Sequence, residues 1–196
     1  MAAGAQPSLA AYGEAANVFG SKTGNFTGAT TYEGDGYKVE LPANWNPSKE
    51  RPFAGIDLRY VDSFDDVNTL EVIVLKGGPD PASGDFLNQI GYILGETSAK
   101  VESQSEGGFA KNKAAAASVL STNSRKDASG KTYYEYELLI RTADGNEGGR
   151  HQLISATQNK GNLYILRVQA GDKRWIGVGA GVRAGCINAW KSFSVA

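Results

Sequence analysis

Few side chains in this sequence could begin a reaction. His151 is the single histidine and Cys186 the single cysteine. A histidine base needs a nucleophile within hydrogen-bond reach and a third group to hold its ring. No G-x-S-x-G elbow marks such a serine, so catalysis at His151 is not expected. One imidazole beside a carboxylate can instead form a weak, open metal site. The plainer alternative is a strand-edge histidine satisfied by one hydrogen bond. A lone cysteine excludes an internal disulfide and a cysteine zinc centre, and Cys186 reads as a small buried apolar residue.

Other motifs fall short in specific ways. Gly177-Val178-Gly179-Ala180-Gly181 lacks the third glycine of G-x-G-x-x-G and has no βαβ unit around it, and no P-loop occurs. Asp62, Asp65 and Asp66, and separately Asp144 and Glu147, do not match an EF-hand loop and read as solvated turns. Basic residues gather at Lys49 and Arg51, Arg59, Arg150, Arg167, and Lys173 with Arg174. With 20 basic against 21 acidic residues there is no global field to draw nucleic acid or an anionic membrane, so electrostatic docking must come from a local patch. No apolar run reaches the ~18 residues of a membrane-spanning helix.

The elements that must position these residues read as a single domain behind a tail. Residues 1–31 are rich in Ala, Gly, Ser, Thr and Asn, bury too little to offset ordering, and are expected to be a flexible tail. Ser8-Leu9-Ala10 places small residues where a signal peptidase prefers them, without a signal's charged and apolar parts. The domain is expected over 32–196. Strands are predicted at 37–41, 56–61, 70–75, 114–124, 131–141, 151–157 and 163–170, with Pro42 to Phe53 a loop. Tyr134, Tyr136, Leu138 and Ile140 alternate with Tyr133, Glu135 and Glu137, the clearest two-faced strand of the chain. Short glycine turns between the last four strands predict a meander, which would bring Arg150 and Arg167 onto adjacent strands with Lys173 and Arg174 just beyond. Phe86, Leu87, Ile90, Ile93 and Leu94 predict one helix of about three turns, N-capped by Ser83 and closed by Gly95. A second helix is predicted from Asp172 to about Lys191, weakened by glycines at 177, 179, 181 and 185. The expected fold class is α+β, a central antiparallel sheet of about six strands sandwiched by helices.

Taken together, AYGEAANVFG (11–20), WNPSKE (45–50), LRY with its acidic-aromatic turn (58–64), RTADGNEGGRHQLI (141–154) and AGDKRW (170–175) resemble the PsbP family, the extrinsic lumenal subunits of photosystem II. SEGGF (105–109) and SFSVA (192–196) fit as well. The resemblance implies a PsbP/Mog1-like fold and a mature protein beginning at Ala11 in the chloroplast thylakoid lumen. It implies a non-enzymatic subunit, peripheral to the thylakoid membrane, that docks on photosystem II lumenal subunits and other extrinsic subunits. That role helps retain Ca2+ and Cl− and stabilises the manganese cluster. By position, Ala11, Tyr12, Gly13, Glu14, Asn17 and Phe19 match the working tail. Lys49, Arg59, Arg150, Arg167, Lys173 and Arg174 match basic docking positions, and His151 and Asp172 match a proposed Mn2+ or Zn2+ site. Two further readings are a PsbP-like photosystem assembly factor and a Mog1-like GTPase-binding module. The chain departs from the family in having only Lys22 after VFG, an uncharged Ile176–Gly181, and Asn44 before the tryptophan. Docking is therefore expected to be less electrostatic, or to meet a differently charged receptor.

Overall fold

The computed structural model describes residues 21–24, 29–94, 114–142, 149–176 and 182–196. The 11–20 segment, SEGGF, residues 143–148 with Asp144 and Glu147, and the glycine run 177–181 lie outside them. The described chain runs through β1 (Ser21–Gly24), β2 (Thr30–Glu33), β3 (Tyr37–Leu41), β4 (Trp45–Pro47), β5 (Ile56–Asp62) and β6 (Thr69–Lys76). Helices α1 (Phe86–Gln89) and α2 (Gly91–Leu94) precede β7 (Ala114–Lys126), β8 (Thr132–Thr142), β9 (Arg150–Asn159) and β10 (Asn162–Gly171). Helices α3 (Asp172–Ile176) and α4 (Val182–Ser192) and strand β11 (Ser194–Val195) complete the chain.

A seven-stranded antiparallel sheet has the order β4-β5-β6-β10-β9-β8-β7. Strands β7 to β10 form the meander that the short turns predict. Its tightest corner is Lys160-Gly161, both at positive φ (50° and 80°), a two-residue reversal whose twist matches that of the strands it joins. In β10, residues 163 and 165 face one layer, with Phe86, Ile90, Ile93 and Leu94 of the α1–α2 region. Residues 164, 166, 168 and 170 face the other, with Val182, Cys186, Ala189 and Trp190 of α4. Tyr136, Leu138 and Ile140 lie with the first layer and Tyr133 with the second, the division that the alternation in β8 predicts.

Two elements differ from the sequence reading. The expected three-turn helix is two short ones, broken at Ile90-Gly91, where glycine disfavours continuation. Ser83 does not cap it: its Oγ accepts from the Asp85 N–H at 3.2 Å in a local turn, and Asp85 occupies the cap position. Of the expected terminal helix, α3 and α4 are the described parts, on either side of 177–181. A second sheet, order β1-β2-β3-β11, covers the α4 side of the core. Its first strand, Ser21–Gly24, pairs with Thr30–Glu33, so strand pairing begins within the residues read as tail.

Candidate functional site

Strand β9 ends its pairing with β10 at Arg150↔Gly171 and His151↔Ala170, and α3 starts at the next residue, Asp172. This corner brings His151 and Asp172 together: His151 Nε2 lies 2.9 Å from Asp172 Oδ1. The imidazole stacks on the Trp175 indole, with centroids 4.6 Å apart and planes within 11°. The Arg183 guanidinium from α4 lies 5.5 Å from the indole centroid. His151 Nδ1 is buried without a hydrogen-bond partner in the structure.

Two ligands at right angles on an ion, each ~2.1 Å from it, are about 3.0 Å apart. The 2.9 Å His151–Asp172 spacing is that of a hydrogen bond, the plain role expected of a strand-edge histidine, and it also matches one edge of such an octahedron. Among the described residues no third His, Cys, Asp or Glu completes a cluster. The pair therefore suits an open, largely hydrated divalent ion rather than a closed structural zinc.

The basic residues fall into two groups. Arg59 of β5, Arg167 of β10 and Arg150 of β9 line one cleft, floored by Glu71 of β6 and walled by Tyr92 and Ile93 of α2. The register explains the meeting, since Glu71 pairs with both Arg59 and Arg167 across its two neighbouring strands. Arg59 Nε donates to Glu71 Oε1 at 3.1 Å and Arg167 Nη1 to Glu71 Oε2 at 2.6 Å. Arg167 Nη2 donates to Gln169 Oε1 at 2.6 Å, and the Gln152 amide donates to the same oxygen at 2.9 Å. Arg59 Nη1 reaches outward to Glu50 Oε2 at 2.8 Å, and that glutamate side chain is 77% exposed. The meander reading put Arg150 and Arg167 on adjacent strands, but it did not bring Arg59 to them, and it missed Glu71, a buried acid in a largely apolar strand, which is itself the available signal. Arg167 is buried and internally paired rather than a solvated docking charge.

Lys49 is exposed in the β4–β5 loop and Lys173 is exposed on α3. Arg174 turns away from the cleft to Asp62, with Nη2 3.2 Å from Oδ2. Ala11, Tyr12, Gly13, Glu14, Asn17 and Phe19 lie outside the described residues. Cys186 is buried, and burial, helped by the Asp62 charge, pushes its thiol up to about 12, so it stays protonated and inert.

A sequence model of the PsbP family matches residues 27–195. Among solved structures the chain is similar to cyanobacterial PsbP (CyanoP) from Synechocystis sp. PCC 6803, at 23% identity and TM-score 0.58, over 90% of this chain and 98% of that one. It is also similar to the Ran-binding protein Mog1p of Saccharomyces cerevisiae, at 9% identity and TM-score 0.51, over 89% of this chain and 94% of that one. At these identities the two structures speak for a shared fold.

Proposed function

Because the chain belongs to the PsbP family, we propose that it is a non-enzymatic extrinsic subunit of photosystem II, peripheral to the thylakoid membrane on its lumenal face in the chloroplast. It supports oxygen evolution by helping the complex retain Ca2+ and Cl− and by stabilising the manganese cluster. The folded domain is the anchor and the 11–20 segment, with Tyr12, Glu14, Asn17 and Phe19, is the part that acts on ion retention. A short tail tethered by a docked domain is held at high effective concentration near its target.

The observation that carries the docking is the cleft lined by Arg59 and Arg150, in which buried Arg167 is an internal strut paired to Glu71. One buried glutamate, Glu71, holds two of the three guanidinium groups in fixed orientation. The outer partner of Arg59, Glu50, is exposed, and such a surface pair contributes little. A carboxylate on a partner can therefore replace Glu50 at small loss, with Lys49 beside it. Ions exchange freely at such a surface, so docking weakens as salt shortens the Debye length to about 10 Å at 0.1 M.

Rebinding to salt-washed photosystem II membranes tests the reading. The full chain is expected to rebind at low salt and to restore oxygen evolution without added Ca2+ and Cl−. A chain lacking Ala11–Gly20 is expected to bind but leave the ion demand high. An ion demand unchanged by that deletion would remove the division of labour, and retention of the full chain at molar salt would count against the arginine cleft.

A further inference from the structure

Resting on that docking role, we infer a second contact surface, opposite in character to the arginine cleft: an apolar face built on Phe64 and Ile176 that seats against a charge-polarised protein partner. Phe64 is 75% exposed and Ile176 70% exposed, the two most exposed large hydrophobic side chains among the described residues. Single exposed apolar residues are ordinary, but these two border adjoining clefts that share Arg174, Val182 and Ala184 as lining.

Phe64 is held out rather than merely left out. Its turn follows β5, where the Ser63 N–H and hydroxyl both donate to the Asn44 carbonyl, and Asn44 adopts φ 64°. The Phe64 N–H is fixed by Asp62 Oδ1 at 3.1 Å. The other oxygen of Asp62 accepts from Asn68 Nδ2 at 2.8 Å and Arg174 Nη2 at 3.2 Å. Asn68 Oδ1 in turn takes the Gly171 N–H at 3.0 Å, just before the helix that carries Ile176. One buried network therefore fixes both the loop bearing Phe64 and the start of α3. A loop backbone fixed in advance lowers the ordering cost of binding, which favours an interface anchor there.

Charge says what the face meets. Asp65 follows Phe64, while exposed Lys173 and Arg183 flank the Ile176 end. Acid at one end disfavours an anionic membrane. The fitting partner is a protein surface with an apolar patch, basic residues toward Phe64 and acidic residues toward Ile176.

Binding isotherms of the full chain on photosystem II membranes stripped of extrinsic subunits test this, in parallel with its sedimentation alone. Phe64→Ala and Ile176→Ala are each expected to weaken binding about tenfold, as for an anchor side chain, with an unchanged salt slope. Phe64→Leu should retain most of the affinity, and Asp65→Asn should alter the salt dependence. Urea midpoints should not move in the alanine variants, because both side chains are already in water. Wild-type affinity in both alanine variants overturns the inference while leaving the docking reading intact. A wild-type chain that fails to rebind overturns both. Self-association abolished by Phe64→Ala would give the face to a second copy, and an effect that vanishes when residues 1–20 are removed would give it to the chain's own N-terminal segment; either result overturns the inference.

Discussion

Glu71 is the residue on which the arginine cleft depends. It is 1% exposed, and its two oxygens bind Arg59 and Arg167, itself 8% exposed. Replacing one partner of a buried set leaves the others desolvated and unpaired, which costs about 3–5 kcal/mol. Glu71→Ala is therefore expected to lower the urea unfolding free energy by about 3 kcal/mol or more and to weaken rebinding to photosystem II membranes. Glu33→Ala, which breaks only the exposed pair with Lys38 at 3.5 Å, should change stability by less than about 0.5 kcal/mol. Equal effects would mean the cleft is not held by its buried acid. At the neighbouring corner, Mn2+ titration followed by paramagnetic resonance should show weak binding that His151→Ala and Asp172→Asn each abolish. Binding that survives both changes would place the ion elsewhere. The sequence made the arginines legible as types, and only the family resemblance singled out Asp172 beside His151. It did not reveal that Trp175 stacks on His151, because that contact arises only where β9 and the start of α3 meet.

Elements were legible in proportion to how local their causes are. The long strands declare themselves by alternation, and β8 shows it most plainly. The second sheet does not, because β11 is two residues long and pairs with Lys38 and Tyr37 across almost the whole chain. Gly185 reads as a weak point in a helix, yet α4 crosses Pro42 there, and a Cβ would sit 3.2 Å from the Pro42 ring. The terminal SFSVA segment is likewise a clasp that only the fold explains. Arg125 from β7 donates to the Phe193 carbonyl, Lys131 donates to the Val195 carbonyl at 2.7 Å, and the Val195 N–H donates to the Tyr133 hydroxyl at 2.8 Å. Phe193 is fully buried between Tyr37 and Tyr133. Phe193→Ala should remove about 3–5 kcal/mol and lower the melting temperature by roughly 10 °C. A shift of only a degree or two in calorimetry would show that β11 is an ornament on the sheet rather than its closure.

For the whole molecule, the α4 side of the core is lined with tyrosines that join the two sheets, and this sets its response to alkali. Tyr37 lies well above the ordinary phenol range, chiefly because burial opposes the phenolate and then because its hydroxyl donates to Asp57 at 2.5 Å. Burial also raises Tyr32, Tyr60 and Tyr133 on this side, Tyr136 on the other, and the Cys186 thiol, the last to about 12. These groups keep their protons in the folded chain and lose them near ordinary values, about 9 to 10, when it unfolds. Above that pH the unfolded state binds fewer protons than the native one, so the free energy of unfolding falls as pH rises. Between the unfolded and folded ionisations, each fully retained proton adds a slope of about 1.4 kcal/mol per pH unit. Urea midpoints are therefore expected to hold steady through neutral pH and drop steeply beyond about pH 10, together with a jump in phenolate absorbance and in Cys186 labelling at the unfolding transition. Phenolate appearing gradually, ahead of any loss of structure, would mean that the tyrosines joining the two sheets ionise within the native fold, and the tight coupling between the sheets would have to be given up.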